Sequence, residues 1–227
     1  MSLPDRRAPA EHPAWPVLAY AVALALFAAL PVELAPLARA AVLFALVAVG
    51  IPLVLLNPRR LERETRWSRV LARGAVLVLA AANLAAMGLV SWLLLATTGA
   101  GAGRLFLAAL QIAVIHVLAF GLVYWDVDRD GPVARRLHGR WPGRPDFLFS
   151  RDIDHSGYRP EGSRAAARRT WMPAYLDYLR LALSTLLLLP GGTTPASPRA
   201  KALTIVEAFT FFALAGVVVV RAIALAL

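Results

Sequence analysis

Four ionisable side chains interrupt long apolar stretches of this 227-residue sequence: His116, Asp177, Arg180 and Glu207. If those stretches cross a bilayer, each ionisable group needs a partner or lies on a path for ions or protons, because charge in hydrocarbon is costly. Asp177 and Arg180 are three residues apart and can pair along one face of a helix. The alternative for this pair is that both side chains extend to a nearby membrane interface.

Glu207 lies about two helical turns into the last apolar stretch. Ser184 or Thr185 could satisfy its carboxyl group if the two segments pack together. His116 can relay protons, because imidazole titrates near physiological pH, or it can hydrogen-bond a neighbouring helix in a purely structural role. His116, Asp177 and Glu207 together support one hypothesis, a small proton-coupled transporter or sensor.

Asp126, Asp128, Asp130 and the glycine that follows them match the opening of a calcium-binding loop. The twelfth position, where such loops carry a glutamate, is Leu137. Residues 152–157 repeat the pattern in weaker form. The alternative is a solvated loop whose acids pair with its arginines. Since no nucleophile elbow, phosphate loop, zinc cluster or catalytic carboxylate pair is visible, we expect neither a cofactor nor enzyme activity.

The elements that must position these side chains are apolar blocks. The sequence is 59% hydrophobic with a mean hydropathy of +0.62 and no cysteine. Blocks of about 18 to 28 residues are long enough to cross about 30 Å of hydrocarbon. We therefore predict an all-α integral membrane protein, a helical bundle with five crossings and a sixth segment, 171–190, that either crosses or is re-entrant. The blocks are 15–34, 38–56, 70–96, 105–125, 171–190 and 200–227.

Charge divides the chain and orients it. We predict an N-terminal tail (1–14), a four-helix transmembrane region (15–125), a polar arginine-rich loop (126–170) and a helical hairpin (171–227). If all six blocks cross, one side carries 18 basic residues and the other carries Arg39, Arg104, Arg199 and Lys201. The positive-inside rule then places both termini and the large loop in the cytoplasm of a bacterial inner membrane. The net charge of +10 suits anionic lipid rather than nucleic acid.

The last fifty residues carry a recognisable pattern. Residues 178–185 read Tyr-Leu-Arg-Leu-Ala-Leu-Ser-Thr, residues 194–201 read Thr-Pro-Ala-Ser-Pro-Arg-Ala-Lys, and residues 202–207 end in Glu207. This order resembles the pore module of the two-transmembrane potassium-channel superfamily, in which a pore helix, a filter, a Thr-Pro turn and an inner helix follow one another. The resemblance implies a homo-oligomer, a tetramer if it is a channel, with Glu207 supporting the pore helix from behind.

The potassium filter itself is missing. Its six positions fall on residues 187–192, which begin with three leucines and a proline, whereas a filter needs backbone carbonyls stacked by glycines and a threonine hydroxyl. We therefore expect an atypical or non-selective ion channel with an apolar constriction, or alternatively a non-conducting scaffold or sensor. The pore or constriction candidates are Ser184, Thr185, Leu187, Leu188, Leu189, Gly191, Gly192, Thr193 and Thr194.

A second resemblance covers most of the chain. The runs 123–132, 145–149 (Pro-Asp-Phe-Leu-Phe) and 171–178 are similar to an uncharacterised family of bacterial multi-helix membrane proteins with a channel-like C-terminal hairpin. It implies a common architecture and no particular activity. If 171–190 is re-entrant, as in the pore module, the loops that flank it lie on one face of the membrane. Its length of 20 residues and the charge bias favour a crossing instead.

Overall fold

The computed structural model describes residues 11–31, 36–56, 65–96, 102–137, 145–150, 172–189 and 192–226. These residues form seven α-helices, a single 3-10 turn at Asp128–Asp130 and two short strands, so the predicted all-α class is confirmed. The helices are α1 (Ala14–Ala28), α2 (Pro36–Leu56), α3 (Arg66–Ala96), α4 (Ala102–Val127), α5 (Pro132–Leu137), α6 (Tyr175–Leu187) and α7 (Pro198–Ala226); the strands are β1 (Phe147–Phe149) and β2 (Thr193–Pro195).

Three helices are long and apolar enough to cross a membrane: Arg66–Ala96, Gly103–Asp130 and Pro198–Ala226. They correspond to α3, α4 with the turn that follows it, and α7. The other apolar helices, Ala14–Ala28 and Arg39–Leu55, are shorter. For three of the six predicted apolar blocks, the described residues therefore contain a helix that is long and apolar enough for a crossing.

Helix α4 lies at the centre of the bundle and packs against α1, α3, α6 and α7. Its small and branched side chains, Ala108, Ile112 and Ile115, are fully buried. At the end of α4, Asp126 accepts a hydrogen bond from Arg73 near the start of α3 (2.9 Å). The two helices are therefore antiparallel, as the short connection between them predicts.

Helix α6 differs from the predicted crossing segment. It has 13 residues, about 20 Å of helix, whereas a crossing needs about 30 Å. The helix ends at Leu188, which adopts the left-handed conformation (φ 51°) and donates its N–H to Ser184 O. A proline at position 190 also could not continue the helix. The crossing that length and charge bias favoured for 171–190 is therefore not confirmed in the described residues.

The two chain segments that flank α6 meet each other. β1, before α6, and β2, after it, pair antiparallel with Leu148 opposite Thr194. Helix α7 starts beside them, since Arg199 binds Asp146, which also contacts the end of α4 through Asp128. Glu11 lies at this same end, where its carboxylate accepts hydrogen bonds from Trp125 Nε1 and the Tyr175 N–H. The end of α7 therefore lies at the opposite end of the bundle from Glu11.

Gly121 sets how closely α6 approaches α4. A Cβ atom at this position would lie 3.2 Å from Leu179 Cα, a backbone atom that cannot rotate away. We expect Gly121→Ala to lower the free energy of unfolding by roughly 1–3 kcal/mol, as overpacking does. Gly88→Ala in α3 is the matched control, because a Cβ there meets nothing within 4 Å. Thermal unfolding in detergent compares the two, and equal stabilities would contradict the close packing of α6.

Candidate functional site

Asp128 organises a buried cluster at the end of α4, which we call the end cluster: Asp128, Arg129, Arg135, Asp146 and Tyr178. The Asp128 side chain is fully buried. Oδ1 accepts hydrogen bonds from the N–H groups of Asp146 (3.0 Å) and Phe147 (3.2 Å). Oδ2 accepts the hydroxyl of Tyr178 (2.5 Å). One carboxylate thus joins α4, β1 and α6.

Two buried arginines of the end cluster compensate the charge of Asp128. Arg129 Nε lies 3.4 Å from Asp128 Oδ2. Arg135 donates to the backbone carbonyls of Trp125 (2.6 Å) and Asp128 (2.9 Å), and its guanidinium lies 5.2 Å from the centre of the Tyr178 ring. Arg129 and Asp130 both have positive φ angles, so the backbone turns sharply and ends the helix here.

Asp146 connects the same cluster to α7. Arg199 donates to both of its carboxylate oxygens, from Nε at 2.7 Å and from Nη2 at 2.9 Å. Burial acts to raise the pKa of Asp146, but the hydrogen bonds from Arg199, Ser197 and the Arg129 N–H outweigh it, and the pKa lies below the ordinary aspartate value. The pair is therefore ionised at neutral pH, and it fixes β1 to the first turn of α7.

A second set of buried polar side chains lies deeper in the bundle, and we call it the mid-bundle chain: Asn83, His116, Glu207 and Tyr124. All four are fully buried. Asn83 Nδ2 lies 3.1 Å from His116 Nδ1, and His116 Nε2 lies 3.1 Å from Glu207 O. Tyr124 donates its hydroxyl to Glu207 Oε2 (2.5 Å). The mid-bundle chain thus links helices α3, α4 and α7.

Glu207 keeps one oxygen without a hydrogen bond. Oε1 is buried and has no partner among the described residues. Thr185 of α6 lies beside this carboxyl group, as predicted, but its hydroxyl donates to Leu181 O (3.0 Å). Ser184, the other predicted partner, also donates to Leu181 O (2.8 Å). The sequence did not predict that Tyr124 binds Glu207, because an aromatic residue near the end of an apolar helix is equally typical of an anchor at the membrane interface.

The predicted constriction residues lie at the end of α6 and beyond it. Leu187, Leu188 and Leu189 are 55%, 74% and 56% exposed. Gly192 and Thr194 are exposed, Thr193 is half-buried, and Gly191 lies outside the described residues. A groove of about 180 Å³ opens next to the end of α6; it is lined by Leu181, Ser184, Thr185, Leu189, Thr193, Pro195 and Thr204.

The structure separates the other predicted site residues. Asp177 accepts a hydrogen bond from the Ala174 N–H (2.9 Å) and thereby caps the start of α6, while Arg180 is exposed. Asp126 binds Arg73, Asp128 belongs to the end cluster and Asp130 is exposed. Across the described ranges no group of three His, Cys, Asp or Glu side chains could hold a metal ion. The weaker motif at 152–157 lies outside those ranges.

Comparisons with known proteins add nothing to this geometry: no family model, curated protein or solved structure matches the chain.

We expect Asp128→Asn to be strongly destabilising. The substitution removes a buried charge and leaves Arg129 and Arg135 without their carboxylate, a loss of about 3–5 kcal/mol for a buried pair. Asp130→Asn is the matched control, because Asp130 is exposed and surface changes stay within about 0.5 kcal/mol. Denaturant unfolding in detergent provides the measurement. If both variants unfold at the same denaturant concentration, Asp128 does not hold these segments together.

Proposed function

We propose that the protein is an oligomeric membrane channel in which α6 is a re-entrant helix and Leu187, Leu188 and Leu189 form an apolar constriction. The observation that carries the proposal is the pairing of β1 with β2, because it returns the chain to the end from which α6 left. A helix with this placement enters a bilayer and turns back within it.

The depth of α6 supports this interpretation. Thr185 lies beside Glu207, which is nine residues beyond the start of α7, about 14 Å along that helix. If α7 begins at the membrane surface, the end of α6 therefore reaches about the middle of a hydrocarbon core of about 30 Å.

The chemistry of a helix end explains why copies of the chain would assemble. The last carbonyl groups of a helix lack partners within the helix, and lipid cannot supply hydrogen bonds. Irregular backbone at this depth is tolerated where it is buried in protein or lines water. A ring of copies with their α6 ends around an aqueous path meets both conditions. A tetramer is the number that the pore-module resemblance implies.

The residues at the end of α6 determine what kind of channel this would be. Three exposed leucines offer no oxygen ligands to a dehydrated ion, so we infer no potassium selectivity. A ring of apolar side chains conducts only when water fills it and closes by dewetting. Ions would therefore pass hydrated and with little selectivity.

The same leucines favour the second candidate, a non-conducting membrane scaffold or sensor in which the hairpin serves packing alone. The proton-coupled transporter has less support, because Asp177 caps a helix start whereas His116 and Glu207 lie in the mid-bundle chain.

We propose a topology in which the end of the bundle with the end cluster faces the cytoplasm of a bacterial inner membrane. This placement moves Arg199 and Lys201 to the arginine-rich side, which strengthens the charge bias. Trp67 and Trp92 of α3 are both exposed and lie about 37 Å apart along the helix, a separation that suits anchors at two interfaces.

Cysteine labelling tests this topology, and the sequence contains no native cysteine. Single cysteines replace Ser150 and Thr194, which flank α6, and Gly103 at the start of α4; all three positions are exposed. Added outside intact cells, a membrane-impermeant thiol reagent should label only Gly103→Cys. After permeabilisation it should also label Ser150→Cys and Thr194→Cys. Labelling of Ser150→Cys and Thr194→Cys from opposite sides would exclude a re-entrant α6.

Ion flux into liposomes tests conduction. A polar residue in a dewetted constriction stabilises water there, so Leu188→Asn should raise the flux of small ions by roughly tenfold, the equivalent of about 1.4 kcal/mol in the barrier. Leu176→Asn, at an exposed position in the first turn of α6, should leave flux unchanged. Absence of flux in the wild type and in Leu188→Asn, in an oligomeric preparation, would favour the non-conducting alternative.

A further inference from the structure

Glu207 is a carboxyl group without a compensating charge. Within the described ranges its side chain forms no ion pair, and Tyr124 donates a hydrogen bond to Oε2 of its carboxyl group. An ionised carboxylate accepts hydrogen bonds at both oxygens, yet Oε1 receives none. A buried charge with an unsatisfied oxygen is among the most costly groups that a protein can contain.

A proton on Oε1 removes both costs. The acid becomes neutral, and its O–H gains an acceptor in Thr185 Oγ1, which lies beside it. The Thr185 hydroxyl keeps its own hydrogen for Leu181 O, and Glu207 Oε2 keeps the hydrogen bond from Tyr124. Every donor and acceptor in this group then has a partner.

The surrounding titratable groups do not offer an alternative site for this proton. Helix α4 contributes Tyr124 and His116, α6 contributes Tyr178, and α3 contributes Asn83, which does not titrate. His116 satisfies both of its neighbours as the neutral tautomer with hydrogen on Nε2, because Asn83 Nδ2 donates to Nδ1 and Glu207 O accepts from Nε2. Tyr178 is bonded to Asp128.

The groove at the end of α6 provides a path to this position. Its lining includes Thr185 and three further hydroxyl groups, from Ser184, Thr193 and Thr204. Hydroxyl groups can hydrogen-bond the water molecules that carry protons. The groove is open and Thr185 lines it, so protons could reach the buried carboxyl group past this side chain.

We propose that Glu207 is a proton-binding site whose occupancy controls the seating of α6 through Thr185. With the proton bound, α6 is held against α7 by the hydrogen bond from Glu207 to Thr185. When the proton leaves, that donor is lost: the Thr185 hydroxyl must give up Leu181 O to donate to the carboxylate instead, and a negative charge without an ion-pair partner faces α6. The ligand of this site is therefore the proton, and its effect is on the helix that we propose to form the constriction.

Infrared difference spectroscopy on the full-length protein in liposomes tests the site without requiring conduction. We expect a protonated-carboxyl C=O band at neutral pH that Glu207→Gln abolishes and that Asp177→Asn leaves unchanged. Thr185→Val, which removes the acceptor, should shift the band, whereas Thr185→Ser should preserve it. If Glu207→Gln fails to fold, Tyr124→Phe serves instead, because it keeps the carboxyl group and should shift the band.

Amide hydrogen exchange of α6 tests the control of seating. After correction for the intrinsic rate, exchange in α6 should increase at alkaline pH in the wild type, and this increase should vanish in Glu207→Gln. A wild-type spectrum without a Glu207-dependent acid band overturns the proposal, as does a band that ignores both Thr185→Val and Tyr124→Phe. An alkaline increase in exchange that persists in Glu207→Gln also overturns it. Because neither measurement involves flux, these results stand apart from the outcome of the channel assay.

Discussion

The buried carboxylate of Asp128 is the constraint on which the rest of the structure depends. It accepts two backbone N–H groups from the start of β1 and the hydroxyl of Tyr178. The loop before α6 and α6 itself are thereby fixed to the end of α4. Without this carboxylate, two arginines would remain buried and the N–H groups of Asp146 and Phe147 would lose their acceptor at the end of α4. The position of α6 follows from it.

Once α6 is fixed at both flanks, its length decides how it lies in a membrane. Thirteen residues cannot cross about 30 Å of hydrocarbon, so in the proposed topology the helix ends at mid-depth beside Glu207. Two requirements arise at that depth: the free helix end needs water or protein, and the carboxyl group needs a proton or a cation. The proposed oligomer meets the first, and the proposed proton site meets the second. The two proposals thus have one structural origin.

The sequence predicted those features that depend on neighbouring residues. Helices α3, α4 and α7 follow from long runs of apolar residues, and Thr185 was expected near Glu207. The end cluster was not predicted, because alternating carboxylates at 126, 128 and 130 look the same whether they bind calcium or distant N–H groups. The full crossing favoured for 171–190 is not confirmed, because hydropathy does not reveal where a helix ends. Strands of three residues show no alternation that could have revealed the pairing of β1 with β2.

The central claim is that β1 and β2 lie together at one end of the bundle while α6 turns back between them. A disulfide between Leu148→Cys and Thr194→Cys tests it most directly, because these residues are opposite each other in the strand pair and the chain has no other cysteine. Cross-strand neighbours have Cβ atoms about 4.5–5.5 Å apart, so mild oxidation in native membranes should join them within one chain. If α6 crosses the membrane instead, the two cysteines lie on opposite faces, and the absence of any intramolecular disulfide would contradict the account.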